Sequence, residues 1–213
     1  SVDFQDELGH QLADVDVVVM LDTKSYFESR WSAAEYGRAL SKGIGVLRIQ
    51  WPGTTPARSS STAALLALAD SDLNADGTLG AEVMVKLCSQ LERVRCITYA
   101  ARHLSAVTQV EQAITRIDGE VDGMGPHRAM HVRLATGRQL VVQPIVGVPS
   151  SLMLQEAIER AGTLGAALVY DHLGIKSAWE DHLRWLGAKI PAARWVRVSD
   201  AAWRFAGWET ESV

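Results

Sequence analysis

Asp22, Ser25, Ser29, Trp31 and Glu35 form the densest set of chemistry-bearing residues in the 213-residue chain. Trp31 and Glu35 are four residues apart, which on a helix brings them to one face. An aromatic ring beside a carboxylate suits a sugar or nucleoside, the ring stacking and the acid binding hydroxyls. A carboxylate so placed can also stabilise an oxocarbenium-like centre as a glycosidic bond breaks. Spacing alone favours a plainer arrangement, with Glu35 an exposed helix residue and Trp31 a core filler.

The flanking pattern says what must position these residues. "DVDVVVMLD" (14–22) is apolar and β-branched, as a parallel strand covered on both faces would be. Asp22 ends it, and in open α/β sheets ligands bind beyond the carboxyl ends of the strands. A loop at 23–30 leads to a helix near 31–42, stopped by Gly43 and Gly45. "IGVLRIQW" (44–51) reads as a second buried strand. Ahead of all this, Phe4, Leu8 and Leu12 have helical spacing. Helix–strand–helix–strand order predicts an α/β layered sheet.

The segment "DVVVMLDTKSYFESRWSAAEYGRALSKGIGVLRI" resembles the central part of a Toll/interleukin-1 receptor (TIR) domain. That family has a strand, then a loop of the form S-x-N-Y-x-x-S-x-W, then a glutamate four residues past the tryptophan. Tyr26, Ser29, Trp31 and Glu35 match it, with Ser25 where the asparagine is usual. The resemblance covers about residues 4–51 and implies a flavodoxin-like parallel sheet. For catalytic members it also implies cleavage of NAD at the nicotinamide–ribose bond. It makes Glu35 the catalytic residue and Trp31, Ser29, Tyr26 and Asp22 substrate-binding residues. NAD is then a substrate, and no cofactor or metal is expected. The family's first strand, first helix, second strand and flexible loop lie before the helix near Phe4, so the module reads as partial. Bacterial members act in defence or stress signalling and become active on self-association, which implies a homo-oligomer. Two alternatives stay open. One is a non-enzymatic TIR-type interaction module. The other is a nucleoside deoxyribosyltransferase-like enzyme, which "AEYGRA" (34–39) resembles and in which the glutamate is a nucleophile.

Beyond the motif, "PGTTPARSSST" (52–62) is a loop by composition, and "AALLALADSDL" has room for a short edge strand. Apolar residues then step by three or four from Met84 to Ile117, predicting one long helix or two collinear ones. "DGEVDGMGP" (118–126) breaks that pattern. After it come a hairpin around "TGRQ", a helix capped by Ser150 or Ser151 and ended by Gly162, strand "AALVYD", helix "KSAWEDHLRWLGAK" and strand "ARWVRVSD". The expected organisation is a TIR-like α/β module at 1–70, a connecting helix at 71–118 and a second small α/β domain at 119–213.

Other constellations are weaker. Asp72, Asn74, Asp76 and Gly77 fit the start of a calcium loop, but position twelve is Val83 instead of glutamate. An Asx turn before the long helix explains them better. Asp171 and His172 sit at another strand's carboxyl end, where a second site or a helix cap would fit; the cap is favoured. Trp185 and Trp195 read as core, while Trp203 and Trp208 suit core and interface equally.

Composition sets outer bounds. The chain is 47% hydrophobic and 22% charged with a formal charge of −4, so no basic patch argues for nucleic acid. Apolar runs such as 15–21 and 164–170 are too short to span a bilayer, so no membrane partner is expected. The opening "SVDFQDELGHQL" reads as helix, not as a secretory leader. Cys88 and Cys96, about 12 Å apart along a helix, cannot pair and read as buried thiols of a cytoplasmic protein.

Overall fold

The apolar runs at 17–21 and 45–50 become adjacent parallel strands because each carries side chains for both faces of a sheet. In the computed structural model, residues 2–23, 25–55 and 63–210 are described, and the side chains of 2–5, 27, 31, 209 and 210 lie outside that description. The order is α1 (Val2–Ala13), β1 (Val17–Leu21), α2 (Arg30–Ser41), β2 (Gly45–Gln50), β3 (Ala64–Ala67) and α3 (Ala81–Thr115), then β4 (Glu120–Met124), β5 (Met130–Arg133) and β6 (Gln139–Ile145), and finally α4 (Ser151–Ala161), β7 (Gly165–Tyr170), α5 (Ser177–Lys189), β8 (Ala193–Arg197) and α6 (Ala201–Thr210). The fold is mixed α/β, with a three-stranded parallel sheet β1-β2-β3 and a five-stranded mixed sheet β4-β5-β6-β7-β8.

Contacts group the chain into two units, one of residues 15–102 and one of residues 1–14 with 103–213. Helix α1 thus belongs with the five-stranded sheet, and α3 contributes residues to both units. The 118–126 segment falls inside the second unit and contains the whole of β4, which pairs antiparallel with β5 across a register shift at Val121/Gly123. Part of the loop expected at 52–62 falls on 56–62, outside the described residues.

In the 15–102 unit, Tyr36 and Ala39 of α2 pack on Met20, Ile44 and Val46, while Val83, Leu87 and Leu91 of α3 cover Leu47, Ile49 and Leu66. Gly45 is required by that second contact, since a Cβ there would meet the Val94 Cγ1 at 2.4 Å. The cover stops short of β1, whose Val19 and Leu21 are 44% and 53% exposed. β1 was expected to be buried on both faces; it is an outer strand and is covered well on one.

The other unit is a three-layer sandwich that follows the period-2 alternation of strands. Leu140 and Val142 of β6 with Ala167 and Val169 of β7 face α3 and α6, through Val110, Ile114, Phe205 and Trp208. Val141, Ala166, Leu168 and Tyr170 face α4 and α5, through Leu154, Ala157 and Leu183. The Ser150 side chain caps α4 by accepting from the Met153 N–H, and Gly162 closes it at φ +58.

Two further sequence expectations are corrected. Cys88 and Cys96 are exposed, because Val83, Leu87, Leu91, Val94 and Thr98 form the face of α3 turned to the sheet and the thiols lie off it. Trp185, expected in the core, is 56% exposed. Trp203 is 79% exposed while Trp208 is buried, stacked on Phe205 and under Arg194 and Arg138.

Candidate functional site

The carboxyl end of β1 is closed by two interactions of Asp22. Its N–H donates to the Ile49 carbonyl at 2.8 Å, extending the ladder to β2. Its carboxylate, fully buried, accepts from the Arg48 guanidinium, which is 9% exposed. Two opposite charges out of water hold each other only when their geometry is good, so this pair fixes the strand ends. The sequence reading had singled out Asp22 alone. Arg48 is the single charge in "GVLRIQ", a residue that a buried strand holds only if it is paired, but the sequence does not say with what.

From Asp22 the chain turns back over the strand ends. The Tyr26 N–H donates to the Thr23 carbonyl at 3.0 Å and that of Glu28 to Ser25 at 3.1 Å, winding a short 3-10 turn over Tyr26–Glu28. Ser29 then adopts an extended backbone and caps α2, its hydroxyl accepting from the Ser32 N–H at 3.4 Å. The Ser29 of the motif therefore sets where α2 begins, and with it the direction of the face that bears residues 31 and 35. Ser25 is exposed and makes no side-chain cap bond. The Trp31 backbone lies in the first turn of α2, but its side chain is outside the described residues.

Across the turn, Tyr26 lies within the electrostatic reach of Glu35. Tyr26 packs against the Met20–Tyr36–Val46 cluster with its ring half-buried. Burial pushes its phenol up from the ordinary value, and the Glu35 carboxylate and Tyr36 push it further. Glu35 itself is half-buried, while its neighbour Tyr36 points into the core. This end of the sheet thus carries a half-buried carboxylate on α2, a half-buried phenol in the preceding turn, and the buried Asp22–Arg48 pair at the strand ends.

A cavity of about 290 Å³ in the same unit lies at the other end of the sheet, walled by Leu40, Gly43, Ile44, Ala63, Val94 and Ile97. It is apolar, opens by the first residues of β2 and β3, and holds none of the predicted site residues.

The remaining candidates resolve into local structure. At 74–78, Asn74 exchanges backbone bonds with Thr78 and Gly77, and Asp76 accepts from the Thr78 N–H at 3.0 Å. Among the described residues no group of three or more His, Cys, Asp and Glu side chains is arranged to hold a metal ion. Asp171 accepts from the Leu173 N–H at 2.9 Å and closes a turn. Helix α5 begins six residues later with Lys176 at its N-cap and no side-chain cap, so the favoured capping role for Asp171 and His172 is not what the structure has. No described helix is long and apolar enough to cross a membrane.

No family model, curated protein or solved structure matches the chain.

Proposed function

We propose that the 15–102 unit is a TIR-like module whose Glu35 acts in cleavage of the nicotinamide–ribose bond of NAD. The supporting observation is the placement of Tyr26 in the loop beyond β1 and of Glu35 on α2 just after it, near enough for the Glu35 charge to act on the Tyr26 phenol, on a parallel sheet with β2 beside β1. In that reaction the bond from the nicotinamide nitrogen to the ribose carbon breaks, and its electron pair leaves with nicotinamide. The ribose carbon is left cationic, and the Glu35 carboxylate opposes that charge most strongly in the transition state. Water adds to the same carbon and releases a proton, giving ADP-ribose. Tyr26 offers a hydroxyl to the ribose, and Ser29 fixes the start of α2. Asp22 serves by holding the loop through Arg48, since its buried carboxylate is already engaged.

The test is nicotinamide release by the intact protein, abolished in Glu35→Ala and kept in Glu82→Ala, an exposed acid in the first turn of α3. Base exchange between deoxynucleosides, lost in the same Glu35 variant, would favour the transferase instead.

A second reading rests on a separate observation. Val19 and Leu21 are large apolar groups exposed on an outer strand, where sheets readily add partners. They support self-association of the module, with or without catalysis.

A further inference from the structure

In the unit built on the five-stranded sheet, Tyr170 and Arg197 are the last residues of β7 and β8 and face each other in register. Beside them is a cavity of about 200 Å³, bounded also by Glu180 and Leu183 of α5, Trp195 of β8, and Asp200 and Arg204 at the start of α6. It lies beyond the carboxyl ends of parallel strands, where α/β sheets take ligands.

Two of its walls carry buried polar atoms with no partner among the described residues. One carboxylate oxygen of Glu180 is taken by Arg197 at 2.6 Å, but its Oε1 is buried and accepts no hydrogen bond. The Trp195 Nε1 is buried and donates none. Native proteins seldom leave such atoms unsatisfied unless something else supplies the partner. Glu180 and Trp195 both line the cavity, and a hydroxyl reaching between them would answer both atoms, donating to the carboxylate and accepting from the indole. The charges on the rim point to a second group. Arg184 is held by Asp181 at 2.7 Å and Arg197 by Glu180, while Arg204, exposed at the rim, has no ion-pair partner among the described residues. Its guanidinium fork matches a carboxylate or a phosphate. The rings of Tyr170 and Trp195, edge-to-face at 6.4 Å, supply flat walls, and the Tyr170 hydroxyl interacts with Glu180 and Arg197 at the cavity's edge.

The structure assigns this cavity to a small hydroxylated anion, with a hydroxyl between Glu180 and Trp195 and a carboxylate or phosphate on Arg204. At about 200 Å³ it falls below the usual range for drug-sized ligands, which suits a small molecule. The site lies in the unit that does not carry Glu35 and does not depend on NAD chemistry there.

Calorimetric titration of the full chain tests this with four probes: ribose 5-phosphate, gluconate, ribose and inorganic phosphate. Ribose 5-phosphate or gluconate is expected to bind, and which of them binds tells phosphate from carboxylate. Ribose and inorganic phosphate alone are each expected to bind at least about tenfold more weakly than the better of the two. Trp195→Phe keeps the ring and removes the donor, and Arg204→Ala changes only an exposed side chain. Each should weaken binding by about tenfold or more while circular dichroism stays unchanged. Absence of binding by both hydroxylated anions would overturn the assignment. So would phosphate or ribose binding as tightly as they do, or wild-type affinity in both folded variants.

Discussion

Asp22 and Arg48 form a buried ion pair that ties the carboxyl end of β1 to its neighbour β2, beneath the loop that carries Tyr26 and Ser29. Removing one partner leaves the other charge buried and uncompensated. Arg48→Met is therefore expected to destabilise the protein by about 3–5 kcal/mol, and the double variant Asp22→Asn/Arg48→Met to recover much of that loss. Urea unfolding of the three proteins measures both values. A double variant as unstable as the single one would mean the pair is not coupled.

Tyr26 reports on Glu35. Its phenol is raised by burial first and by the Glu35 charge second, so Glu35→Gln should lower its titration without restoring the ordinary value. The sign for stability follows from linkage. A raised phenol keeps its proton in the folded state after the unfolded chain has lost it. Stability should thus fall as pH rises above about 10, less steeply in Tyr26→Phe. Ring-labelled tyrosine spectra, with Tyr26→Phe for assignment, would read the shift among the four tyrosines.

Both cysteines should be open to alkylation in the folded protein, since both are exposed. Cys96 should react more slowly near neutral pH. Its thiol donates to Glu92 at 3.3 Å, which pushes its titration up, while Arg95 holds the Glu92 carboxyl down at about 2. Fewer thiolates mean a slower reaction, so Glu92→Gln should speed Cys96 and leave Cys88 unchanged. Mass spectrometry of a timed iodoacetamide reaction separates the two sites.

Two glycines of the same unit should respond in opposite ways. Gly45→Val would drive a side chain into Val94 and Thr98 and is expected to cost about 1–3 kcal/mol or more. Gly37 is exposed within α2 with nothing within 4 Å of an added Cβ, so Gly37→Ala should stabilise by about 0.5–1 kcal/mol. Thermal melts of both variants give the comparison.

These residues also show where the sequence was informative. β1, β2 and β7 were legible because buried parallel strands are continuous apolar runs, and α3 because no proline or glycine interrupts its pattern. β4 was not, since "EVDGM" has a glycine, two acids and a largely exposed face, and its pairing with β5 includes a register shift. The rotation of α3 was hidden as well: apolar residues ring the helix, so which of them meets the sheet depends on packing, and Cys88 and Cys96 ended outside. Helix α6 escaped for the same kind of reason, as Trp203 and Trp208 take opposite environments on one short helix. At the site, the loop and the helix that bears Glu35 were legible in the pattern; the capping role of Ser29 was not, since the resemblance assigns that residue to substrate. The Asp22–Arg48 bond joins residues 26 apart and appears only once the strands are paired.

The central claim is that Glu35 supports cleavage of NAD, and nicotinamide release by the intact protein tests it most directly. Chromatography should show nicotinamide and an ADP-ribose product from the wild type. With the unfolding midpoint unchanged, Glu35→Ala should release nicotinamide at least about a hundredfold more slowly. Equal rates in the two proteins, or no nicotinamide from the wild type, would contradict the account.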